Sequence, residues 1–302
     1  MTAAATEQQT RPSALVAWLH ASRPRTLAAG LAPVAVGSGV AWHDGAFAPL
    51  SALAALVGAL LIQIGTNLAN DYFDYRRGAD TGERLGPPRA TQQGWLAPKA
   101  VLAGALSCFA LSAVVGIYLV AVAGLPILAV GLVSIAAGYA YTGGPYPLAY
   151  HGLGDAFVLV FFGLVAVGGT YFVQAQGLTP LALAAGVPVG ALGVALLAVN
   201  NTRDARTDAA AGKRTLVVRF GVAFGRFEYV AMLCLAALAP IALWAWGWAS
   251  PWVLLSLLAA PLAAPPLRLV FAQEGRPLNG ALAGTARLQL VYSLLLAVGL
   301  SR

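Results

Sequence analysis

The sequence predicts an all-α, polytopic membrane bundle, and three observations carry that expectation. Of its 302 residues, 59% are hydrophobic and 10% are charged, with a mean hydropathy of +0.76. That is more apolar than an ordinary soluble core absorbs. The apolar residues fall into blocks of about 20, the length with which a helix crosses about 30 Å of hydrocarbon while closing its own backbone hydrogen bonds. Lysines and arginines collect between alternate blocks.

Taken in chain order, the blocks place nine spans at 27–43, 50–70, 100–122, 125–142, 154–174, 180–199, 228–246, 252–271 and 281–300. The opening MTAAATEQQTRPSA is polar and lacks the charged-then-apolar layout of a signal peptide, so residues 1–13 are expected to form a flexible cytoplasmic tail. Residues 14–20 are placed at the interface. Cationic loops stay on the cytoplasmic side. With the N-terminus inside, Arg11, Arg23, Arg25, the 71–99 and 200–227 loops and the 268–276 region share one face. The opposite loops, 44–49, 123–124, 175–179 and 247–251, contain no Lys or Arg, and only Arg302 falls outside. The expected location is therefore the bacterial cytoplasmic (inner) membrane. The whole chain, 1–302, reads as one membrane domain.

The net charge of +7 does not indicate a nucleic-acid partner, because the basic residues flank spans. Anionic membrane lipid or an anionic substrate suits that placement better. Cys108 and Cys234 fall within spans without CxxC spacing and read as packing residues. Nothing in the sequence fixes an oligomeric state.

Of 11 acidic residues, Asp71, Asp74, Asp80 and Glu83 lie in NDYFDYRRGADTGERLGPPRA at 70–90, and Asp204 and Asp208 in NNTRDARTDAAAGKRTLVVRFG at 200–221. The first stretch begins where the second span ends and the other where the sixth ends. Residues three or four apart share a helix face, so Asn70, Asp71 and Asp74 form one cluster and Asp204 and Asp208 another. Like charges at a membrane edge repel and lose hydration, so a compensating cation is expected. Hard oxygen ligands favour magnesium, which takes one or two carboxylates and completes its shell with water and phosphate. Asn70-x-x-x-Asp74 reappears as Asn200-x-x-x-Asp204, offset by 130 residues, and Arg84 falls opposite Arg214. The chain thus reads as two four-helix pseudo-repeats plus one helix, with a site between the halves. Alone, Arg76 and Arg77 read as topology signals, and Glu83 as a cap or solvated loop residue.

Together these segments resemble the UbiA superfamily of intramembrane aromatic prenyltransferases, which carry an Asn- and Asp-rich motif after the second span and a DxxxD motif after the sixth. With YTGGPYPLAYHGLGDAFVLVFFG at 141–163, they are similar to the naphthoate branch of menaquinone synthesis. Many relatives space the first motif NDxxDxxxD. Here the position four after Asp74 is Gly78, and the next acid is Asp80.

The resemblance implies a magnesium-dependent enzyme that transfers a polyprenyl group from polyprenyl diphosphate to 1,4-dihydroxy-2-naphthoate, with loss of carbon dioxide and diphosphate, to give demethylmenaquinone. It assigns Asp74, Asp204 and Asp208 to metal and catalysis, with Asp71 and Asp80 as further metal candidates and Asn70 and Asn200 in support. Lys213 and Arg214 are placed to meet diphosphate oxygens, and Arg25 and Arg89 are weaker candidates for the same task. Tyr139 and Tyr141 lead the aromatic residues that could face an allylic cation, ahead of Tyr72, Phe161, Phe162 and Tyr171. His151 reads either as a solvated loop residue or as a contact to the acidic acceptor.

Two alternatives remain at this point. The acceptor could be another aromatic acid, such as 4-hydroxybenzoate or homogentisate. A secondary transporter would also explain repeats and polar span ends, although transporters place ionisable sites near the bilayer midplane and these clusters sit at one face.

Overall fold

The computed structural model describes residues 12–79 and 84–302. Asp80, Glu83 and most of the expected N-terminal tail, including Arg11, lie outside the described residues, as does the side chain of Arg25. Among the described residues all regular structure is helical. The order is α1 (Ala14–Ser22), α2 (Ala28–His43), α3 (Pro49–Arg76), α4 (Pro98–Ala123), α5 (Leu125–Ala140), α6 (Gly154–Ala175), α7 (Pro180–Ala210), α8 (Leu216–Phe220), α9 (Val222–Ala245), α10 (Pro251–Ala272) and α11 (Leu278–Leu300).

Seven segments, α3, α4, α6, α7, α9, α10 and α11, are long and apolar enough to cross a membrane. The expected spans at 27–43 and 125–142 correspond to α2 and α5, each of 16 residues. At a rise of about 1.5 Å per residue, such a helix is roughly 24 Å long, short of the hydrocarbon thickness. A count of nine crossings therefore rests on these two shorter helices.

Local chemistry sets the boundaries. Proline occupies the first turn of α3, α4, α5, α7 and α10, where its missing N–H has no intrahelical partner to lose. Thr179 caps α7 by accepting from the Ala182 N–H at 3.3 Å. Two helices outrun their expected spans: α3 continues to Arg76 and α7 to Ala210. Residues 200–210, expected within a loop, are helical, because residues 194–211 contain no glycine or proline and the first stop is Gly212, which turns the chain with φ +75°. Both acidic motifs therefore sit on rigid helix.

The α7 helix is the centre of the bundle. Of its most apolar window 72% is buried in protein, against 17% for α4, which leaves most of α4 to face lipid. A core of Val36, Val40, Val167, Val189, Leu192 and Leu296 joins α2, α6, α7 and α11. Leu68, Val101 and Phe109 join α3 to α4, and Val199, Tyr229 and Leu278 gather α7, α9 and α11. Each motif helix has a main partner, α3 with α4 and α7 with α9, in keeping with two related halves.

Backbones approach closely where α6 crosses α7. A Cβ on Gly186 would stand 2.6 Å from the Gly163 carbonyl oxygen, and one on Gly190 would stand 2.6 Å from that of Leu159. Only glycine fits such a crossing. The α6 backbone is wound as a π-helix over Leu159–Val165 at this point, a local widening often found near functional sites. Trp42, Trp246, Trp248 and Trp252 are exposed at helix ends away from the acidic motifs, positions that suit a membrane interface.

Candidate active site

The C-terminal ends of α3 and α7 bring the two acidic motifs together. Asp74 is buried, at 2% exposure, and its carboxylate is held from three directions. Arg89 donates to Oδ2 at 2.9 Å and the Tyr150 hydroxyl donates to Oδ1 at 3.0 Å. Lys213 Nζ lies 3.7 Å from Oδ2 and also 3.4 Å from Asp208 Oδ1. Lys213 thus ties the first motif to the second, joining residues far apart in sequence.

The remaining expected residues divide. Asp204 is gripped through both oxygens by Arg203, which also donates to Asn200 Oδ1 at 2.7 Å and Asn279 Oδ1 at 2.8 Å. Asn70 Oδ1 accepts from the Thr142 hydroxyl at 2.6 Å. The Asp71 carboxylate is engaged within the chain. Its Oδ2 accepts from the Ala90 N–H at 3.1 Å and its Oδ1 from the Thr91 hydroxyl. It lies only about 60° around the helix from Asp74, and its bonds to Ala90 and Thr91 anchor the segment that delivers Arg89. Arg214 is exposed, with its backbone N–H donating to the Tyr150 carbonyl at 2.9 Å. Tyr139 is 37% exposed and stands edge-on to Phe73 at 5.1 Å, whereas Tyr141 faces inward.

Several contributors were not singled out in the sequence. Tyr150 lies between two cations, with Arg77 5.0 Å and Lys213 5.1 Å from its ring centroid. Arg77, read above as a topology signal, donates to the carbonyls of Thr142 and Gly144 and pins the loop after α5. Arg23 adopts a left-handed backbone (φ 53°) between α1 and α2. Burial, together with the guanidinium groups of Arg89 and Arg84, pulls its pKa below the ordinary arginine value, while Asp71 and Asp74 oppose the shift. Arginines stay charged even so. Arg23, Arg84, Arg89 and Lys213 therefore concentrate positive charge around Asp74. His151 takes a local role: it stacks on Tyr146 at 3.6 Å, and its Nδ1 lies 2.8 Å from the Pro147 carbonyl oxygen.

Beneath the charged cluster lies an apolar cavity of about 400 Å³ between α3, α4, α5 and α6. Tyr141, Phe157, Phe161 and Phe162 line it. Phe157 and Phe161 stack at 5.4 Å. Gly116 and Gly131 form part of its wall, and a Cβ on either would meet nothing within 4 Å. Tyr141 joins the two environments. Its ring borders the cavity, and its phenol is pushed up by burial and by Asp155, Asp208 and Asp74.

The arrangement offers a cation-rich mouth with carboxylates on two helix ends, above a greasy, aromatic-walled chamber. It suits a molecule with a multiply charged anionic head and a long hydrocarbon tail. Residues 30–288 match the model of the UbiA prenyltransferase family. The chain belongs to that family.

Among UbiA relatives is a 1,4-dihydroxy-2-naphthoate octaprenyltransferase from Mycobacterium tuberculosis, 40% identical over 94% of this chain and 96% of its own. Another protein of that name, from Escherichia coli, is 38% identical over 98% of this chain and 97% of its own. A solved UbiA homologue from Archaeoglobus fulgidus bound to DMAPP and Mg2+ matches with a TM-score of 0.62 at 15% identity, covering 93% of this chain and 99% of that one. The apo UbiA homologue from Aeropyrum pernix K1 gives 0.67 at 14%, covering 89% and 97%. At such identities the structural likeness shows the fold alone.

The donor set also tests the fit to a metal. Among the described residues no three acidic, histidine or cysteine side chains are grouped to hold an ion by themselves. Carboxylates completed by phosphate oxygens are what magnesium favours. Asp74, Asp208 and Asp204 fit that role, with Lys213 and Arg203 as their present counter-charges.

Proposed function

We propose that this protein transfers a polyprenyl group from polyprenyl diphosphate to 1,4-dihydroxy-2-naphthoate, releasing carbon dioxide and diphosphate and giving demethylmenaquinol, the reduced form of demethylmenaquinone. The near full-length relationship to naphthoate octaprenyltransferases supports the acceptor. The single structural observation that carries the reading is the junction at Tyr141, where the charged cluster of Asp74, Asp208 and Lys213 meets the aromatic-walled cavity.

Allylic transfer requires that the departing diphosphate be neutralised and the cation kept from water. Lys213, Arg89 and Arg23 bind and orient the diphosphate, Arg214 guards the mouth, and Asn70 and Asn200 brace the motif helices. Asp74, Asp204 and Asp208 are the residues that would hold magnesium, which would supply the remaining positive charge for the leaving group. Tyr141, Phe157 and Phe161 present ring faces to the allylic carbon and exclude water. The prenyl tail occupies the apolar cavity. The anionic acceptor is drawn to the same basic mouth.

On this reading the chain forms one membrane domain whose site opens to the cytoplasm with the N-terminus inside, supported by the one-sided distribution of Lys and Arg. The test is to supply the purified protein and magnesium with mixed prenyl diphosphates and aromatic acids, then read the lipid product by mass. A prenylated naphthoquinone is expected. Products built only on 4-hydroxybenzoate or homogentisate would move the reading to another acceptor, and no prenylated product would overturn it.

A further inference from the structure

One buried carboxylate near the cavity has no part in the site described so far. Asp155, in the first turn of α6, is 6% exposed, and both of its oxygens are buried without a hydrogen-bond partner. No lysine or arginine among the described residues pairs with it. Across the central helix, Glu228 of α9 is close enough to repel it electrostatically, and Glu228 Oε2 and the Thr202 hydroxyl of α7 are likewise buried and unpartnered. The other titratable group facing Asp155 is Tyr141, whose hydroxyl lies against Gly154, where a Cβ would stand 3.1 Å from it. Tyr141 borders the cavity. Asp155 therefore sits one layer behind a cavity-lining phenol. Leaving both its oxygens buried and unmatched is costly unless they serve a purpose.

We infer that Asp155, acting through Tyr141, borrows the proton of the acceptor hydroxyl beside the carboxylate while the new carbon–carbon bond forms, and returns it after carbon dioxide leaves. This rests on the proposed function and assigns the hydroxyl-activating group that the metal and diphosphate residues do not supply. As the carboxylate-bearing ring carbon bonds to the allylic carbon, the allylic C–O bond breaks and its electron pair leaves with diphosphate. The neighbouring O–H bond breaks and the oxygen becomes a carbonyl. Its proton passes to the Tyr141 oxygen while the Tyr141 proton passes to Asp155. Loss of carbon dioxide then returns the C–C electron pair to the ring, and the carbonyl oxygen takes the proton back.

The sum explains why the acceptor can be buried. The acceptor carboxylate leaves as neutral carbon dioxide, and its charge departs on diphosphate, so no net proton is released. A proton that is only borrowed needs no route to water, and neither oxygen of Asp155 is open to solvent. An aromatic prenyl transfer that keeps the carboxylate must instead expel its ring proton.

The experiment compares wild type, Asp155→Asn, Asp155→Glu and Tyr141→Phe as full-length purified proteins, with 1,4-dihydroxy-2-naphthoate and a prenyl diphosphate that the wild type uses. General-base catalysis contributes about 100-fold or more, so kcat is expected to fall by that order in Asp155→Asn and Tyr141→Phe. The KM for the prenyl diphosphate should stay unchanged. Asp155→Glu should recover most of the rate. Raising the pH until the acceptor hydroxyl ionises in solution should rescue Asp155→Asn and Tyr141→Phe relative to wild type, which a purely structural defect would not do. Wild-type kcat in both variants, or an equal loss at every pH, overturns the inference. If Asp155→Asn does not accumulate, Tyr141→Phe decides, because it keeps the ring and removes only the hydroxyl. A wild-type protein inactive on these substrates overturns the functional reading itself, whereas a fully active variant overturns only the proton transfer.

Discussion

Lys213 Nζ stands between carboxylates of two helices, 3.7 Å from Asp74 Oδ2 and 3.4 Å from Asp208 Oδ1. It is the electrostatic tie between the two motifs, and it presents its charge where a diphosphate would enter. A charge-assisted hydrogen bond contributes about 1.5–3 kcal/mol, so Lys213→Ala is expected to raise the KM for prenyl diphosphate about tenfold or more. The KM for the aromatic acid should move less. Steady-state kinetics with each substrate varied in turn checks this, and equal rises would mark a general disruption of the mouth.

Asp74 and Asp204 are expected to be required for magnesium-dependent binding of the diphosphate. Asp74→Asn and Asp204→Asn should abolish turnover and weaken that binding, measured by titrating prenyl diphosphate with and without Mg2+. Unchanged magnesium dependence in both variants would remove them from the metal site. Asp74→Asn also takes the carboxylate from buried Arg89. Breaking a buried pair costs about 3–5 kcal/mol, so thermal unfolding of this variant belongs beside its kinetics.

Tyr150 carries a pH signature. Burial first, then the Asp74 carboxylate, pushes its phenol above the ordinary value of 10.0, with Arg77 opposing. An unfolded chain ionises there while the folded protein keeps its proton. This stabilisation is therefore complete below pH 10 and is lost as the pH rises beyond it. Tyr150→Phe should flatten part of the alkaline fall in thermal stability and cost about 1 kcal/mol at neutral pH for the lost hydrogen bond. An unchanged alkaline slope would exclude Tyr150 as its source.

The α6–α7 crossing should tolerate no side chain. At Gly186 an added Cβ meets the Gly163 carbonyl at 2.6 Å, and backbone cannot yield as a side-chain tip does. Gly186→Ala is expected to cost about 1–3 kcal/mol, read as a lower unfolding temperature in detergent. A variant as stable as wild type would mean that the two helices can separate without penalty.

Gly131 is the opposite case, lining the cavity with open space in front of it. Gly131→Leu should leave the unfolding temperature nearly unchanged and shift product from longer to shorter prenyl groups in a mixed-substrate assay. An unaltered product distribution would place the prenyl tail elsewhere.

Much of this site was legible in sequence because its carriers repeat at helical spacing. Asn70, Asp74, Asp204 and Asp208 needed only the i,i+4 rule and the ends of apolar blocks, and Lys213 came with the family resemblance. Asp71 shares a face with Asp74, and only the tertiary structure shows the Ala90 N–H and Thr91 hydroxyl that engage its carboxylate. Tyr139 and Tyr141 are two residues apart, about 200° around a helix, and face different ways. Arg77 and Tyr150 owe their roles to partners distant in sequence, and no local pattern marks them. Asp155 follows the glycines of the 141–163 segment, and nothing in its local sequence marks it. Its significance lies in what fails to surround it, which only packing reveals.

The glycines of this bundle fall into two populations with different evolutionary freedom. Those where α6 meets α7 are locked by the backbone opposite, so drift there is purged through misfolding before catalysis is tested. Gly116 and Gly131, on the chamber wall, face empty space, so drift there is seen first by the substrate. A lineage could therefore lengthen or shorten its quinone tail by single substitutions on α4 and α5 while inheriting the rest of the membrane fold intact.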